Sequence, residues 1–462
     1  MRILHYMPGI PPVRGGGLIR YALDLLRCEQ AAGEEAVLLV PGIIPRNIER
    51  PVNIYAMQKY GAVPVFAVYN PLPVPMGNGI LDIDRYTKPC DQNVYIRFLL
   101  KVRPDVIHIH SFMGLHREFL WAADHCKIPA IFSSHDYFGI CPAVTMMCSD
   151  HICTDKDWKY CELCCRNAYT ERKLRLEQSR MYRQYRKNRR LVQLVHHEVF
   201  RKILRPWMAP EIADAEKERL TGCEKCRDYQ KLKKYYEEMF RLISFFHFNS
   251  SLARQIYVSR LGNVPGDIIY ISHCGIHDHR KKRSYGSVLK IGYLGSQSKY
   301  KGFPVLLKAC SRLYEEGCRK IELHVYTGQR NEDVPFIKTH PPFPPRQIAA
   351  VMDNIDLLIM PSIGPETFGF AALEAVSCGV PVVLSKNVGM KDILSKDPGI
   401  GFIYDGTAEG LKMLLKKIYQ DRSLLAEANE NILKMHCDFS YKDHLKNMLE
   451  MKYKRKDMYK HQ

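Results

Sequence analysis

Met360-Pro-Ser-Ile-Gly-Pro-Glu-Thr-Phe-Gly-Phe-Ala-Ala-Leu-Glu-Ala-Val-Ser-Cys-Gly-Val-Pro-Val-Val-Leu-Ser385 decides the fold of this 462-residue chain. The run from Ile355 to Met360 reads as a buried strand that Pro361 ends. A turn bearing Gly364 and Pro365 follows, and then a helix predicted over about Phe370 to Ser377. Gly379 suits the position just past a helix end, and Pro381 prevents continuation. Val382-Val383-Leu384 begins the next strand. The spacing therefore predicts a βαβ unit whose helix opens at the carboxyl end of a parallel strand. Unpaired amides and the positive dipole end suit that spot to a diphosphate. Glu366 precedes the helix and Glu374 lies inside it. A carboxylate repels a diphosphate, so the hydroxyl groups of a sugar and a ribose are the better partners for both.

The two glutamates have seven residues between them within P-S-x-x-x-E-T-F-G-F-x-x-L-E-A-x-x-x-G-x-P-V-V. This resembles the E-x7-E signature of the retaining GT-B glycosyltransferases of family 4, the glycosyl transferases group 1 type. The resemblance implies an α/β fold of the GT-B kind, two Rossmann-like doubly wound domains facing across a cleft. It implies that Glu366 contacts the donor sugar's hydroxyls as a catalytic residue and that Glu374 contacts the ribose. The amides of Phe368, Gly369 and Phe370 would steady the leaving diphosphate. Configuration at the anomeric carbon would be retained, with no divalent cation or other cofactor needed for catalysis.

Composition is ordinary globular: 46% hydrophobic and 25% charged residues exclude a disordered chain, and the length calls for two or three domains. The start, Met1-Arg-Ile-Leu-His-Tyr-Met-Pro, lacks a signal peptide's apolar core and reads as a first strand. No apolar run approaches the ~18 residues that span a bilayer. The expectation is a cytoplasmic protein, with peripheral association at the inner face of the membrane. The formal charge of +19 raises affinity for any polyanion without choosing among them.

Outward from the motif, strands and helices alternate, as in doubly wound parallel sheets. Ile3 to Pro8, the loop Gly15-Gly16-Gly17, a helix from about Leu18 and a strand from Ala36 open the chain. The glycine loop allows close approach of a sugar or phosphate. By resemblance, Gly16 and Gly17 belong to the donor site. The strand-like runs Pro104 to His110 and Ala130 to Asp136 place His110 and His135 at strand ends. The resemblance assigns His135 the role of orienting the sugar near the anomeric carbon. Leu242 to Asn249 and Ile268 to Ser272 read as further strands. The expected divisions are an N-terminal acceptor domain over 1–276, a linker over 277–287, a nucleotide-sugar domain over 288–436, and a helix over 437–462 that crosses back. In the nucleotide-sugar domain, Lys301-Gly302 opens a helix after the Leu289 to Gly295 strand. A lysine there is mismatched to the helix dipole, which favours a bound phosphate as its partner. Ser296 stands where the family usually carries an arginine, with Lys299 the nearest replacement charge.

The segment 139–246 breaks the pattern and reads as a Cys-rich, basic, mainly helical insertion. Sixteen cysteines without an export signal argue for metal binding over disulfides. The set Cys141, Cys153, Cys161 and Cys164 resembles a C-P…C…C-x-x-C element of some family members and implies structural zinc. The competing set replaces Cys141 and Cys153 with Cys223 and Cys226. From Arg166 to Arg205, Lys and Arg far outnumber Glu and alternate with Tyr and Leu. A solvated face, an anionic membrane surface and nucleic acid all fit such a run, and nucleic acid ranks below lipid. The functional expectation is transfer of a sugar from a UDP- or GDP-sugar to a glycan or lipid-linked acceptor, in cell-surface polysaccharide or glycolipid synthesis. Two alternatives stay open: an inactive, zinc-containing GT-B scaffold that binds nucleic acid or membrane, and an isomerase or phosphorylase on the same fold.

Overall fold

The structure is a computed structural model and describes residues 1–75, 79–148, 151–188, 228–328, 334–435 and 441–460. The first unit contains β1 (Arg2–Tyr6), β2 (Glu35–Pro41), β3 (Asn53–Ala56), β4 (Val65–Tyr69), β5 (Val106–Ile109), β6 (Ala130–Ser133), β7 (Met147–Cys148), β8 (His151–Ile152), β9 (Phe245–Phe248) and β10 (Gly266–Ile268). Its main sheet runs β10-β9-β6-β5-β1-β2-β4-β3, parallel throughout except for the antiparallel edge strand β3. The second unit contains β11 (Leu289–Tyr293), β12 (Ile321–Val325), β13 (Ile337–Thr339), β14 (Leu357–Met360), β15 (Val382–Ser385) and β16 (Gly401–Tyr404). Its sheet, β13-β12-β11-β14-β15-β16, is wholly parallel.

Strands such as β5, β6, β14 and β15 are buried at every residue. That burial explains their continuous apolar runs, because helices cover both faces of a parallel sheet. In each sheet the chain starts in the middle and winds first one way, then the other. The crevice between β1 and β5, and that between β11 and β14, is therefore the place where a doubly wound sheet binds ligands.

The units are not joined by a tether alone. Ile3, Tyr21 and Val106 of the first unit share an apolar cluster with Leu373 and Val376 of the second and with Met448 and Met451. The last two lie on the helix Tyr441–Lys460, which returns to the first unit. There Tyr21 Oη and His444 Nε2 are 2.9 Å apart. Residues 277–286 carry neither helix nor strand. Arg280 and Arg283 fasten them to the second unit by donating to the carbonyls of Ile432, Met435, Met352 and Ile355.

One sequence expectation needs correction. Ile269 to Ser272 are not strand: the Ile269 and Tyr270 carbonyls are held by the rings of His247 and His444 instead of a ladder. The described part of the Cys-rich segment packs into the core of the first unit. Phe138, Ile140, Cys141 and Cys161 pack with Tyr235, Tyr236 and Phe240 in one cluster with Phe112 and Phe132. Gly139, at φ +92°, allows this approach, since a Cβ there would meet the Phe240 ring at 2.9 Å. Besides the β7–β8 hairpin, the described part holds short helices at Cys161–Cys165, Glu171–Glu177 and Arg180–Lys187. The longer helix Tyr229–Arg241 then feeds β9.

Candidate functional site

The loops after β11 and β14 are stitched together. Ile363 and Gly364 donate their amides to the Tyr300 carbonyl, and Tyr300 Oη donates to Pro365 O at 2.8 Å. Gly302, at φ +72°, presses on the Pro361 carbonyl so closely that a Cβ would sit 1.8 Å from its oxygen. This fixes Lys301 beside the motif. Its Nζ lies 2.6 Å from Glu366 Oε1, which also accepts from Ser362 Oγ at 2.8 Å. Gly369, at φ +113°, forms the N-cap of the helix Phe370–Ser377. The first amides of a helix lack partners one turn back, which suits the start of this helix to an anion.

Glu374, on the same helix, faces the first unit. Its Oε1 accepts from Arg20 at 3.2 Å and from His273 Nε2 at 3.1 Å. His273 Nδ1 accepts from the Gly275 amide, which leaves Nε2 as the protonated nitrogen. Gly275 must be small, because a Cβ there would come within 2.2 Å of the Arg20 guanidinium. Gly16 and Gly17 open the helix Gly17–Ala31, and Gly17 faces the Phe370 ring across the cleft. Phe368 is buried and its ring meets that of Phe370 edge-on. Ser296 lies in the β11 loop, its hydroxyl 3.0 Å from that of Ser298.

His135 follows β6, and its carbonyl accepts from Thr367 Oγ1 of the motif at 3.2 Å. The ring belongs to a chain of groups running back into the first unit. His135 Nε2 lies 3.2 Å from His110 Nδ1, His110 Nε2 lies 3.1 Å from His5 Nδ1, and His5 Nε2 lies 2.7 Å from Glu29 Oε2. Glu29 also pairs with Lys452 of the returning helix. Burial opposes the Glu29 charge, but the Lys452 ammonium and His5 outweigh it and hold the carboxyl at about 2. Burial also lowers the pKa of all three histidines, so they are neutral.

The protons follow from these charges. An ionised Glu29 only accepts, so His5 carries its proton on Nε2 and accepts at Nδ1. His110 must then donate from Nε2, and His135 in turn. That leaves His135 Nδ1 as an acceptor, where Asn249 Nδ2 donates at 3.2 Å. One carboxylate thus sets three tautomers in a row.

Among the described residues, one group of three or more His, Cys, Asp or Glu side chains has donor atoms all within 4.8 Å of one another: His5, His108 and His110. Two of those rings already bond each other within the relay, and the Lys452 charge disfavours a cation there. The cysteines of the predicted zinc set are neighbours but do not converge in this way. Burial, and then the other thiols of the segment, push Cys141 and Cys164 up to about 12. Cys223 and Cys226 lie outside the described residues.

Sequence reasoning missed Arg20, His273 and Tyr137. Arg20 sits in the stretch after the glycine loop, but nothing in the sequence pairs it with a glutamate 354 positions away. Tyr137 Oη is buried without a hydrogen-bond partner among the described residues, close enough to Glu366 for that charge to raise its pKa further after burial.

Residues 276–435 match the family model for glycosyl transferases group 1. The chain is 33% identical over 81 residues to a phosphatidyl-myo-inositol mannosyltransferase of Propionibacterium freudenreichii subsp. shermanii, which is 17% of this chain and 21% of that protein. It is 35% identical over 83 residues to a D-inositol 3-phosphate glycosyltransferase of an Arthrobacter species, 18% and 19% of the two chains. The match therefore spans about a fifth of the length of either curated relative. The structure is similar to that of Anabaena Alr3699/HepE in complex with UDP, with a TM-score of 0.57 at 14% identity, covering 98% of this chain and 99% of that one. The likeness shows the fold, GT-B.

Proposed function

We propose that this chain transfers a sugar from a UDP- or GDP-sugar to a glycan or lipid-linked acceptor, with retention at the anomeric carbon, in cell-surface polysaccharide or glycolipid synthesis. The observation that carries the reading is the pair of charged arrangements at the second unit's switch point, Lys301–Glu366 and Arg20–Glu374–His273. The first pair is self-satisfied without ligand. A donor diphosphate would take the Lys301 ammonium together with the amides near Gly369 and Phe370, and Glu366 would turn to the sugar's hydroxyls. Glu374, held by Arg20 and His273, would face the ribose. Negative charge developing on the leaving diphosphate then meets preplaced donors, the usual source of transition-state stabilisation. His135, its ring fixed by the relay, would border the sugar near the anomeric carbon.

The match to a glycosyl transferases group 1 domain favours this reading over an inactive scaffold. Lys301→Ala and Glu374→Gln should each lower transfer by about 10²–10³-fold, the loss typical of removing one such contact. A donor sugar should also raise the melting temperature of the wild type more than that of either variant. Variants that transfer at wild-type rates would sink the assignment.

Structural zinc at Cys141, Cys153, Cys161 and Cys164 is part of the same proposal. A bound dication would reverse the upward pressure that burial and neighbouring thiols place on these groups, and it would stabilise the segment. Native mass spectrometry should find one zinc per chain, lost in Cys161→Ser; a metal-free chain with an unchanged melting temperature on chelation contradicts it. Among the described residues no helix is long and apolar enough to cross a membrane. The proposed placement is cytoplasmic and peripheral to the inner membrane face.

A further inference from the structure

Beyond the carboxyl ends of β1 and β2 lies a cavity of about 470 Å³, walled by the loop from Pro8 to Arg14 and by the helix Arg180–Lys187 of the Cys-rich segment. Its half-buried groups include two guanidiniums, Arg14 and Arg183. Burial disfavours both as cations; for Arg14 the nearby Glu177 charge offsets part of that cost, while Arg183 adds to it. The structure nevertheless fixes them in place. Arg183 donates from Nη2 to the carbonyls of Pro41 and Gly42 at 2.8 and 2.7 Å, while its Nε is buried without a partner among the described residues. Arg14 folds over Gly9, which has φ +147° and where a Cβ would come within 2.5 Å of the arginine's Cγ.

Around this pair stand three exposed cations, Lys59, Arg180 and Lys187. Among the described residues Glu177 is the one carboxylate that lines the cavity, and its Oε2 is buried without a hydrogen-bond partner there. Five cations against one carboxylate leave a surplus of positive charge, part of it desolvated. Such a surplus favours an anion, and forked guanidiniums match phosphate oxygens best. The cavity is too small for a nucleic-acid strand but admits a phosphate with its attached headgroup.

The site also lies in the right place for an acceptor. The loop that carries Arg14 continues directly into Gly15, Gly16 and Gly17, and Gly17 meets Phe370 at the mouth of the donor cleft. We propose that this cavity binds a phosphate group of the acceptor, a phosphomonoester or diphosphate, and that the Cys-rich segment contributes Arg180, Arg183 and Lys187 to it. The cavity's role in holding an acceptor rests on the glycosyltransferase reading; anion binding there does not.

The test uses the full-length chain carrying Lys301→Ala, so that an anion cannot be held by that lysine. Inorganic pyrophosphate should bind this protein. Adding Arg180→Ala and Lys187→Ala, both exposed changes that leave the fold intact, should weaken its Kd at least ~10-fold. Arg183→Ala should weaken it further, but that variant also strips the Pro41 and Gly42 carbonyls of a donor, so the rim pair decides. Pyrophosphate affinity unchanged by the rim pair, or no affinity at all, overturns the proposal. Co-sedimentation with phosphatidic acid vesicles but not phosphatidylcholine vesicles, lost in the rim pair, identifies a lipid source for the phosphate. Binding of pyrophosphate without vesicle association identifies a soluble one. Nucleotide-sugar binding by the chain with Lys301 intact, measured alongside, reports on the glycosyltransferase reading separately.

Discussion

Lowering the pH from 7 towards 5 should unfold this protein with net uptake of at least two protons. The cause is a set of buried neutral histidines. Burial holds His247 at about 4 and His116 and His444 at about 3, and it keeps His108, His110 and His135 well below the ordinary value of 6.5. In the unfolded chain each would protonate near 6.5. Between that value and the folded pKa the unfolded state holds more protons, so stability is fully present above about 6.5 and falls as the pH drops. Each histidine contributes roughly 1.4 kcal/mol per pH unit across that window. Asp136 acts in the opposite direction, because burial raises it to about 6 and its folded form takes up a proton where the unfolded form does not. Glu29, held at about 2, loses its contribution only below the usual carboxylate range. Burial raises Asp356, Glu118 and Glu177 as well, in the same opposing direction, but the buried histidines outnumber these four carboxylates and set the sign of the net slope. Urea unfolding measured at half-unit steps from pH 8 to 5 gives the proton uptake directly, and a flat profile from 7 to 5 contradicts the expectation.

The second large effect is expected at Lys452. This residue and Glu29 are both wholly buried, one on the returning helix and one on the helix Gly17–Ala31. Lys452→Met leaves a buried carboxylate without its cation, a loss of about 3–5 kcal/mol for such pairs. Glu29→Gln in the same chain removes the orphaned charge, so the double variant should recover most of that stability. It should not recover the relay. A glutamine amide can donate or accept, and nothing then obliges His5 Nε2, His110 Nε2 and His135 Nε2 to carry the protons. Nitrogen NMR of the imidazoles distinguishes the outcomes: one tautomer for His135 in the wild type, a mixture in the double variant. A destabilised double variant, or an unchanged His135 tautomer, would show that Glu29 does not set the relay.

Much of the candidate site was legible because it is local. Glu366, Gly369, Phe370 and Glu374 lie on one strand, turn and helix, and the helix Phe370–Ser377 occupies the predicted residues. Gly and Pro mark its ends for reasons that act within a few residues of chain. Lys301 was legible for a similar reason, since a cation at a helix start is locally unfavourable and asks for a partner. What was illegible is long-range. The segment after Ile268 has the composition of a strand, yet His247 and His444 take its carbonyls. The Cys-rich segment looks foreign by composition, yet Phe240 and Cys161 belong to the first unit's core.

The sequence by itself determined the alternation of strand and helix, the phosphate-suited turn after β14 and the residue types within it. Those follow from backbone sterics, periodicity and caps, which depend on near neighbours. Only the tertiary structure decided that Arg20 and His273 meet Glu374, that one buried carboxylate orients His135 through two other rings, and that two arginines share a cavity. Each of these depends on bringing together residues far apart in the chain. Burial then amplifies their charges, because the interior screens them far less than water does.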